Sequence, residues 1–210
     1  MGPLVVDFAE AAVEHYALNY SKHPPVLERG DAADGARRQV GWLSALLGNL
    51  AFHLDDISGA RTHLATAAAY GARTGERRLE AWEWGAQSMV ARAAGRTTAA
   101  VEHAERGAAT APADLVRTQL RAWALLPSLA AVGRGEDVEH ALTTALDELD
   151  SADGEAPVRF GFDSAELAPH QAEAYLVLGR AADARAHAES SLSGCISRTP
   201  SWAVASLVLA

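Results

Sequence analysis

The chain has 210 residues, 49% of them hydrophobic, and a formal charge of −9 at pH 7. An acidic surface repels a phosphate backbone, so the chain is not expected to bind DNA by itself, and its alanine-rich composition favours helices over strands. One cysteine, Cys195, excludes an internal disulfide and fits a reducing cytoplasm. No apolar stretch is long enough to cross a bilayer, so we expect no association with a membrane.

The first predicted element is an amphipathic helix over residues 5–20. Its apolar residues recur about every 3.6 positions, and acidic residues lie on the opposite face. The apolar face consists of Val5, Phe8, Ala9, Ala12, Val13, Tyr16 and Tyr20. The Lys-His-Pro-Pro sequence at 22–25 ends this helix because proline cannot continue it, and a polar link follows up to Gly35.

Four helix pairs are predicted next, over residues 36–75, 76–112, 113–150 and 164–196, with the first helix of the first pair beginning near residue 36. Pro127 falls inside a helix predicted over 113–132 and indicates a kink there. Residues 150–163 have no periodicity and predict a mobile loop. A last apolar helix is expected over 200–210, as the truncated start of a further repeat.

Each predicted pair carries the same spacing of small or aliphatic residues, at an anchor and then 12, 16 and 19 residues later. The positions are Gly48, Ala60, Leu64 and Ala67; Ser88, Ala100, Ala104 and Gly107; Leu126, Val138, Leu142 and Ala145; Ala172, Ala184, Ala188 and Ser191. Such residues let two helices approach closely, and one pair cannot bury its apolar face without a neighbour. The spacing predicts an all-α fold of about ten helices with essentially no strand. We expect one domain over 1–210, a right-handed superhelical solenoid of antiparallel helix pairs.

The units resemble tetratricopeptide repeats in a degenerate form. Tyr175, Ala184 and the Leu-Gly-Arg turn at 178–180 fit the fourth unit, and Pro112 ends the second. The tryptophan, leucine and glycine that are usual in the first helix of such a repeat never occur together here.

The order of segments is also similar to the C-terminal sensor region of actinobacterial regulators that carry an N-terminal Xre-type helix-turn-helix. The likeness lies in Tyr16 to Pro25, Gly48 to Gly75, Phe162 to Leu167, His170, and Tyr175 to Arg180. This resemblance implies a regulatory role, with DNA bound only through a domain that the chain does not contain.

A solenoid of this kind would have its first helices along a concave face. Residues at −6, −3, +1 and +4 from each anchor form one stripe on those helices. The predicted groove residues are Trp42, Asn49, Phe52, Trp82, Met89, Arg92, Trp123, Glu166 and Glu173. Aromatic faces among amide, guanidinium and carboxylate groups suit a peptide or a small-molecule signal. The tryptophans could equally be core residues, whereas Asn49 and Arg92 are harder to bury unpaired.

The sequence shows no pattern for catalysis, a cofactor or a metal. Its eight histidines are scattered, without paired ligand spacing. His53 with Asp55 and Asp56 could form a local site, although capping acids at a helix end explain them more simply. The Gly-Arg-Gly sequence at 133–135 lies between helices, whereas a phosphate loop follows a strand.

The sequence therefore predicts a regulatory ligand- or peptide-binding domain of a transcriptional regulator, located in the cytoplasm and not an enzyme. A homodimer through the apolar C-terminal helix is a further expectation. Two other classes stay open: a free-standing scaffold for protein–protein interaction, and a biosynthetic enzyme with a helical-repeat cavity.

Overall fold

The computed structural model describes residues 31–112, 115–151, 164–194 and 200–210. Over these residues the chain is all-helical, with nine helices and no strand, which confirms the predicted all-α class. The predicted helix over 5–20 lies outside the described residues, as do residues 152–163 of the predicted loop.

The helices follow one another through short connections. α1 spans Asp31–His53, α2 Ile57–Thr74, α3 Arg77–Ala93 and α4 Thr97–Thr110. α5 consists of the α-helical segments Leu115–Leu120 and Leu126–Ala131, joined by a π-helical turn at Arg121–Leu125. α6 spans Gly135–Ser151, α7 Ser164–Val177, α8 Ala181–Gly194 and α9 Pro200–Leu209.

The repeated small-residue spacing lies in the buried seams between helices, because all sixteen of its positions are buried. A Cβ atom on Gly48 would lie 2.9 Å from the side chain of Leu64 and 3.2 Å from the carbonyl oxygen of Ala60. Only a glycine therefore lets α1 and α2 come this close. Gly41 meets Tyr70 at the other end of the same two helices, so α1 and α2 run in opposite directions.

The turns inside the pairs share one backbone conformation. Gly95, Gly133 and Gly179 have φ angles of 71°, 74° and 75°. Asp55 takes the same left-handed conformation after α1, with φ 63°. A side chain in this conformation costs roughly 1–2 kcal/mol, so the first turn is strained where the later turns are not.

An arginine follows the glycine in all three glycine turns, and in two of them it ties the turn to neighbouring helices. Arg134 bonds to Asp137 at 2.6 Å and reaches Glu105 of α4 at 3.5 Å. Arg180 bonds in the same way to Asp183 at 2.8 Å and to Glu139 of α6. Each of these two turns is thus linked both to its own following helix and to the second helix of the preceding pair.

The irregularity predicted at Pro127 is a π-helical turn that contains Trp123. Pro127 has no amide hydrogen for the carbonyl oxygen of Trp123, and the amide of Leu126 instead reaches back to the carbonyl of Arg121. Ser128 donates from its hydroxyl to the carbonyl oxygen of Ala124 at 2.6 Å. The proline therefore shifts the hydrogen-bond register over the segment that holds Trp123.

The predicted start of the first pair was wrong, because α1 begins at Asp31 and not near residue 36. The predicted polar link included Gly35, but one glycine inside a helix costs only about 1 kcal/mol. Asp34 and Arg37 form an ion pair of 2.6 Å along this first part of α1. The helix can therefore extend through the glycine.

Successive helices pack against each other along the described chain, most extensively α1 with α2, α3 with α4, and α7 with α8. α1 also contacts α3, α3 contacts α5, and α5 contacts α7. Within the same residues no comparable contact joins α2 to α4, α4 to α6 or α6 to α8. The helices α1, α3, α5 and α7 therefore form a continuous row. None of the described helices is both long and apolar enough to cross a membrane.

Candidate functional site

Three tryptophans from three different helices of this row are in contact. The ring centroids of Trp42 and Trp82 are 6.3 Å apart at an interplanar angle of 62°, and those of Trp82 and Trp123 are 6.0 Å apart at 45°. Aromatic pairs at such separations and angles attract each other. All three side chains keep part of their surface exposed. The sequence prediction had placed them on one stripe, and the structure brings them together as an aromatic row.

Small residues make room for the aromatic row. A Cβ atom on Gly85 would lie 2.6 Å and 2.7 Å from two ring atoms of Trp123 and 2.6 Å from Leu120. The Trp123 ring therefore occupies the space that a side chain at position 85 would need. Phe52 packs with Trp82 and Trp123 against a buried cluster, made of Ala60, Leu64, Ala86 and Val90.

Arg92 and Glu173 meet beyond the aromatic row. They are 81 residues apart in sequence, on α3 and α7, and their side chains are 23% and 37% exposed. Nη2 of Arg92 donates to Oε1 of Glu173 over 3.5 Å, which is a long and therefore weak bond. The other terminal nitrogen, Nη1, is buried and has no hydrogen-bond partner among the described residues. A buried guanidinium nitrogen without an acceptor costs about 1–3 kcal/mol, so the site can still accept a hydrogen-bonding group.

His170 lies on α7, three residues before Glu173, and belongs to the same site. Burial lowers its pKa to about 4, and the nearby Arg92 cation contributes to the shift. Burial also lowers the pKa of Arg92, while Glu173 acts in the opposite direction. His170 is therefore neutral at pH 7 and adds no charge to that of Arg92.

A pair of buried hydroxyls holds α3 to α5 below the site. The Oγ atoms of Ser88 and Ser128 are 2.8 Å apart, and neither residue is exposed. Because the one hydroxyl hydrogen of Ser128 is donated to Ala124, Ser88 is the donor to Ser128. On α3, Ser88 lies between Gly85, against which the Trp123 ring packs, and Arg92.

The remaining predicted groove residues have different outcomes. Asn49 and Met89 are partly exposed, Asn49 on α1 and Met89 on α3 between Gly85 and Arg92. The side chain of Glu166 lies outside the described residues. Sequence reasoning missed His170 as a member of the site and named it only in the family resemblance and among the scattered histidines. Its spacing of three residues from Glu173 on one helix was the available signal.

An open cleft lies between α4 and α5. This cleft of about 370 Å³ is lined by Glu105, Ala108, Ala109, Arg117, Arg121 and Leu125. Its arginines are already engaged. Arg117 donates to the carbonyl oxygen of Ala111 at 3.3 Å, and Arg121 forms an ion pair with Glu148. The cleft is therefore a weaker candidate than the site at Arg92.

Within the described ranges no group of three or more His, Cys, Asp or Glu side chains is placed to hold a metal ion. Comparison of the whole chain with protein-family models, with characterised proteins and with solved structures found no match.

Proposed function

We propose that the chain is a regulatory helical-repeat domain that binds a peptide or small-molecule signal in a concave groove. In this proposal the helix pairs form a right-handed, tetratricopeptide-like solenoid with α1, α3, α5 and α7 on the inner wall. The contacts among those helices support this arrangement, as does the opposite direction of α1 and α2. The single observation that carries the proposal is the partly exposed aromatic row beside Arg92, whose buried Nη1 finds no acceptor in the described part of the chain.

The chemistry of the site favours a ligand with an apolar or aromatic part and an acceptor group. The tryptophan faces would bury the apolar part, and the guanidinium would donate to a carboxylate or carbonyl oxygen. Glu173 holds Arg92 only weakly, so a ligand carboxylate would compete for the same nitrogen atoms. Since this ion pair links α3 to α7, its exchange for a ligand would change how the two helices are held.

The groove can be tested with the full chain by thermal-shift screening of metabolites and short peptides, followed by calorimetric titration of each hit. Arg92→Gln should weaken binding at least tenfold, because a hydrogen bond to a charged group contributes about 1.5–3 kcal/mol. Asn49→Ala tests the neighbouring helix. Trp84→Phe is the matched control, because Trp84 packs on α3 against His103 and Arg106 of α4.

The outcome of this screen separates two classes of function. Hits that bind the Arg92→Gln and wild-type proteins equally well would refute the groove. If no compound binds, a free-standing scaffold for protein–protein interaction becomes the better hypothesis.

The proposed link to transcription rests on the resemblance to regulator sensor regions. DNA would be bound by a separate domain, and the signal would reach it through a change in the pitch of the solenoid. The coding sequence upstream of this chain tests the link. A helix-turn-helix domain there would support it, whereas an unrelated neighbour would favour the scaffold.

A homodimer through α9 is part of the same proposal. Leu207 on this helix is 76% exposed, an unusual exposure for a leucine. Light scattering over a range of concentrations should show association that Leu207→Asp abolishes. A protein that stays monomeric at every concentration would contradict the dimer.

A further inference from the structure

α1 carries an aliphatic stripe on the side that faces away from its buried residues. The stripe, called the α1 stripe, consists of Val40, Leu43, Leu47 and Leu50 on α1 and Leu54 directly after its end. Three of its members are 42%, 47% and 40% exposed, namely Val40, Leu47 and Leu54, and the other two are partly exposed. None of the five belongs to the apolar clusters that the described residues form.

The spacing of the α1 stripe is that of a helix seam. Its members follow one another at intervals of 3, 4, 3 and 4 residues, the repeat by which two helices pack side by side. A row of exposed aliphatic residues of this regularity is unusual on a free helix, since apolar stripes are normally covered. The pattern specifies another helix as the covering element.

The chain contains one segment with the matching spacing outside the described residues. Within 5–20, apolar residues occur at 5, 9, 12 and 16, at intervals of 4, 3 and 4. Read in either direction, these three intervals match those from Leu43 to Leu54 of the α1 stripe. The matched residues are Val5 with Leu54, Ala9 with Leu50, Ala12 with Leu47 and Tyr16 with Leu43.

The connection to α1 selects the antiparallel direction. Eleven Cα steps separate residue 20 from residue 31 and span at most about 36–40 Å. With residue 20 beside Val40 the connection must cover about 17 Å, which combines a rise of 1.5 Å per residue with an interhelical distance of 8–10 Å. With residue 20 beside Leu54 it must cover about 36 Å, close to full extension and unfavourable for a link that contains two prolines.

We propose that residues 5–20 pack as an antiparallel helix on the α1 stripe, so that the chain covers this face with its own N-terminal segment. This inference is independent of the groove and of any ligand. It makes the α1 stripe an intramolecular interface, and the repeat array begins one helix before α1.

Disulfide trapping in the full chain tests this packing. In a Cys195→Ser background, Ala12→Cys is combined with Leu47→Cys, and Ala9→Cys with Leu50→Cys, so that the new thiols are the only ones. Disulfides need Cα atoms about 4.4–6.8 Å apart. Both pairs should close within one chain at least tenfold faster than the control pair Glu10→Cys with Leu47→Cys, because Glu10 lies on the opposite face of the proposed helix.

The other outcomes overturn the proposal. Disulfides between chains would make a second copy the occupant of the stripe. Equal rates in test and control pairs, or no closure of either test pair, would show that residues 5–20 do not cover it.

A stability measurement gives an independent reading that does not depend on the chosen register. Leu47→Asp should lower the Tm of the full chain by several degrees, whereas Leu146→Asp should leave it nearly unchanged. Leu146 is a matched control because it is 43% exposed and lies on α6 between exposed Thr143 and Asp150. Equal shifts in the two variants would count against a covered α1 stripe.

Discussion

Replacing Gly85 by alanine should destabilise the protein, although alanine is the better helix former. The new Cβ atom would lie 2.6–2.7 Å from Trp123 and 2.6 Å from Leu120, well inside the ordinary carbon–carbon separation of about 3.5–4.0 Å. Relieving two such overlaps against a ring and a buried leucine costs about 2–3 kcal/mol. The gain in helix propensity is about 0.8–1.0 kcal/mol. We therefore expect a net loss of about 1–2 kcal/mol.

Gly35→Ala is the matched control for this substitution. Gly35 also lies inside a helix, α1, but no atom of the described residues stands within 4 Å of the position that its Cβ would take. This variant keeps the propensity gain without the clash, so it should stabilise the protein by up to about 1 kcal/mol. The two glycine variants are thus expected to change stability in opposite directions.

Urea denaturation followed by far-ultraviolet circular dichroism measures both free energies of unfolding. The tryptophan fluorescence emission of folded Gly85→Ala should also shift, because the Trp123 ring has to move away from position 85. If Gly85→Ala stabilises the protein as Gly35→Ala does, Trp123 does not lie on Gly85, and the aromatic row is not arranged as described.

The lowered pKa of His170 means that the unfolded chain binds a proton more readily, so stability is fully present above pH 6.5 and is lost as the pH falls toward 4. The free energy of unfolding of the wild-type protein should fall by about 1–3 kcal/mol across this range, and that of His170→Gln by much less. Urea denaturation at a series of pH values measures both. Asp55→Gly should raise the free energy of unfolding by up to about 1 kcal/mol, because glycine adopts the positive φ of this position without strain. Gly133→Ala should lower it by about 1 kcal/mol, because alanine is strained at the positive φ of Gly133. Urea denaturation measures both changes. Ser128→Ala should cost about 1–2 kcal/mol by leaving the buried hydroxyl of Ser88 without its acceptor, and Ser88→Ala should cost less because Ser128 keeps its bond to Ala124. The double variant should cost less than the sum of the two in a double-mutant cycle.

Different results would contradict the physical reasons given for these changes. Equal pH dependence in wild type and His170→Gln would mean that His170 is hydrated in the folded protein. A stabilising effect of Gly133→Ala would be inconsistent with a left-handed turn. Strict additivity of the two serine substitutions would indicate that the hydroxyls are not bonded to each other.

The sequence by itself determined the helical class and the places where paired helices cross. A close crossing requires small or aliphatic residues at fixed helical offsets, and this requirement is visible in a linear pattern. Gly48 with Leu64 and Ala60 shows the result, since the predicted offsets are the residues in contact. The sequence was less informative about where helices end. A glycine inside a helix costs only about 1 kcal/mol, and α1 continues through Gly35.

Only the tertiary structure decided how the site is assembled. Arg92 and Glu173 are 81 residues apart, and their pairing depends on how α3, α5 and α7 stack, a sum of small packing choices that no helical period records. The contact of Trp82 with Trp123 likewise depends on the π-helical turn before Pro127, which sets where that ring points. Periodicity specifies which face of a helix is buried, but the neighbour that covers the face, and the polar groups left facing it, follow from the packing of the whole chain.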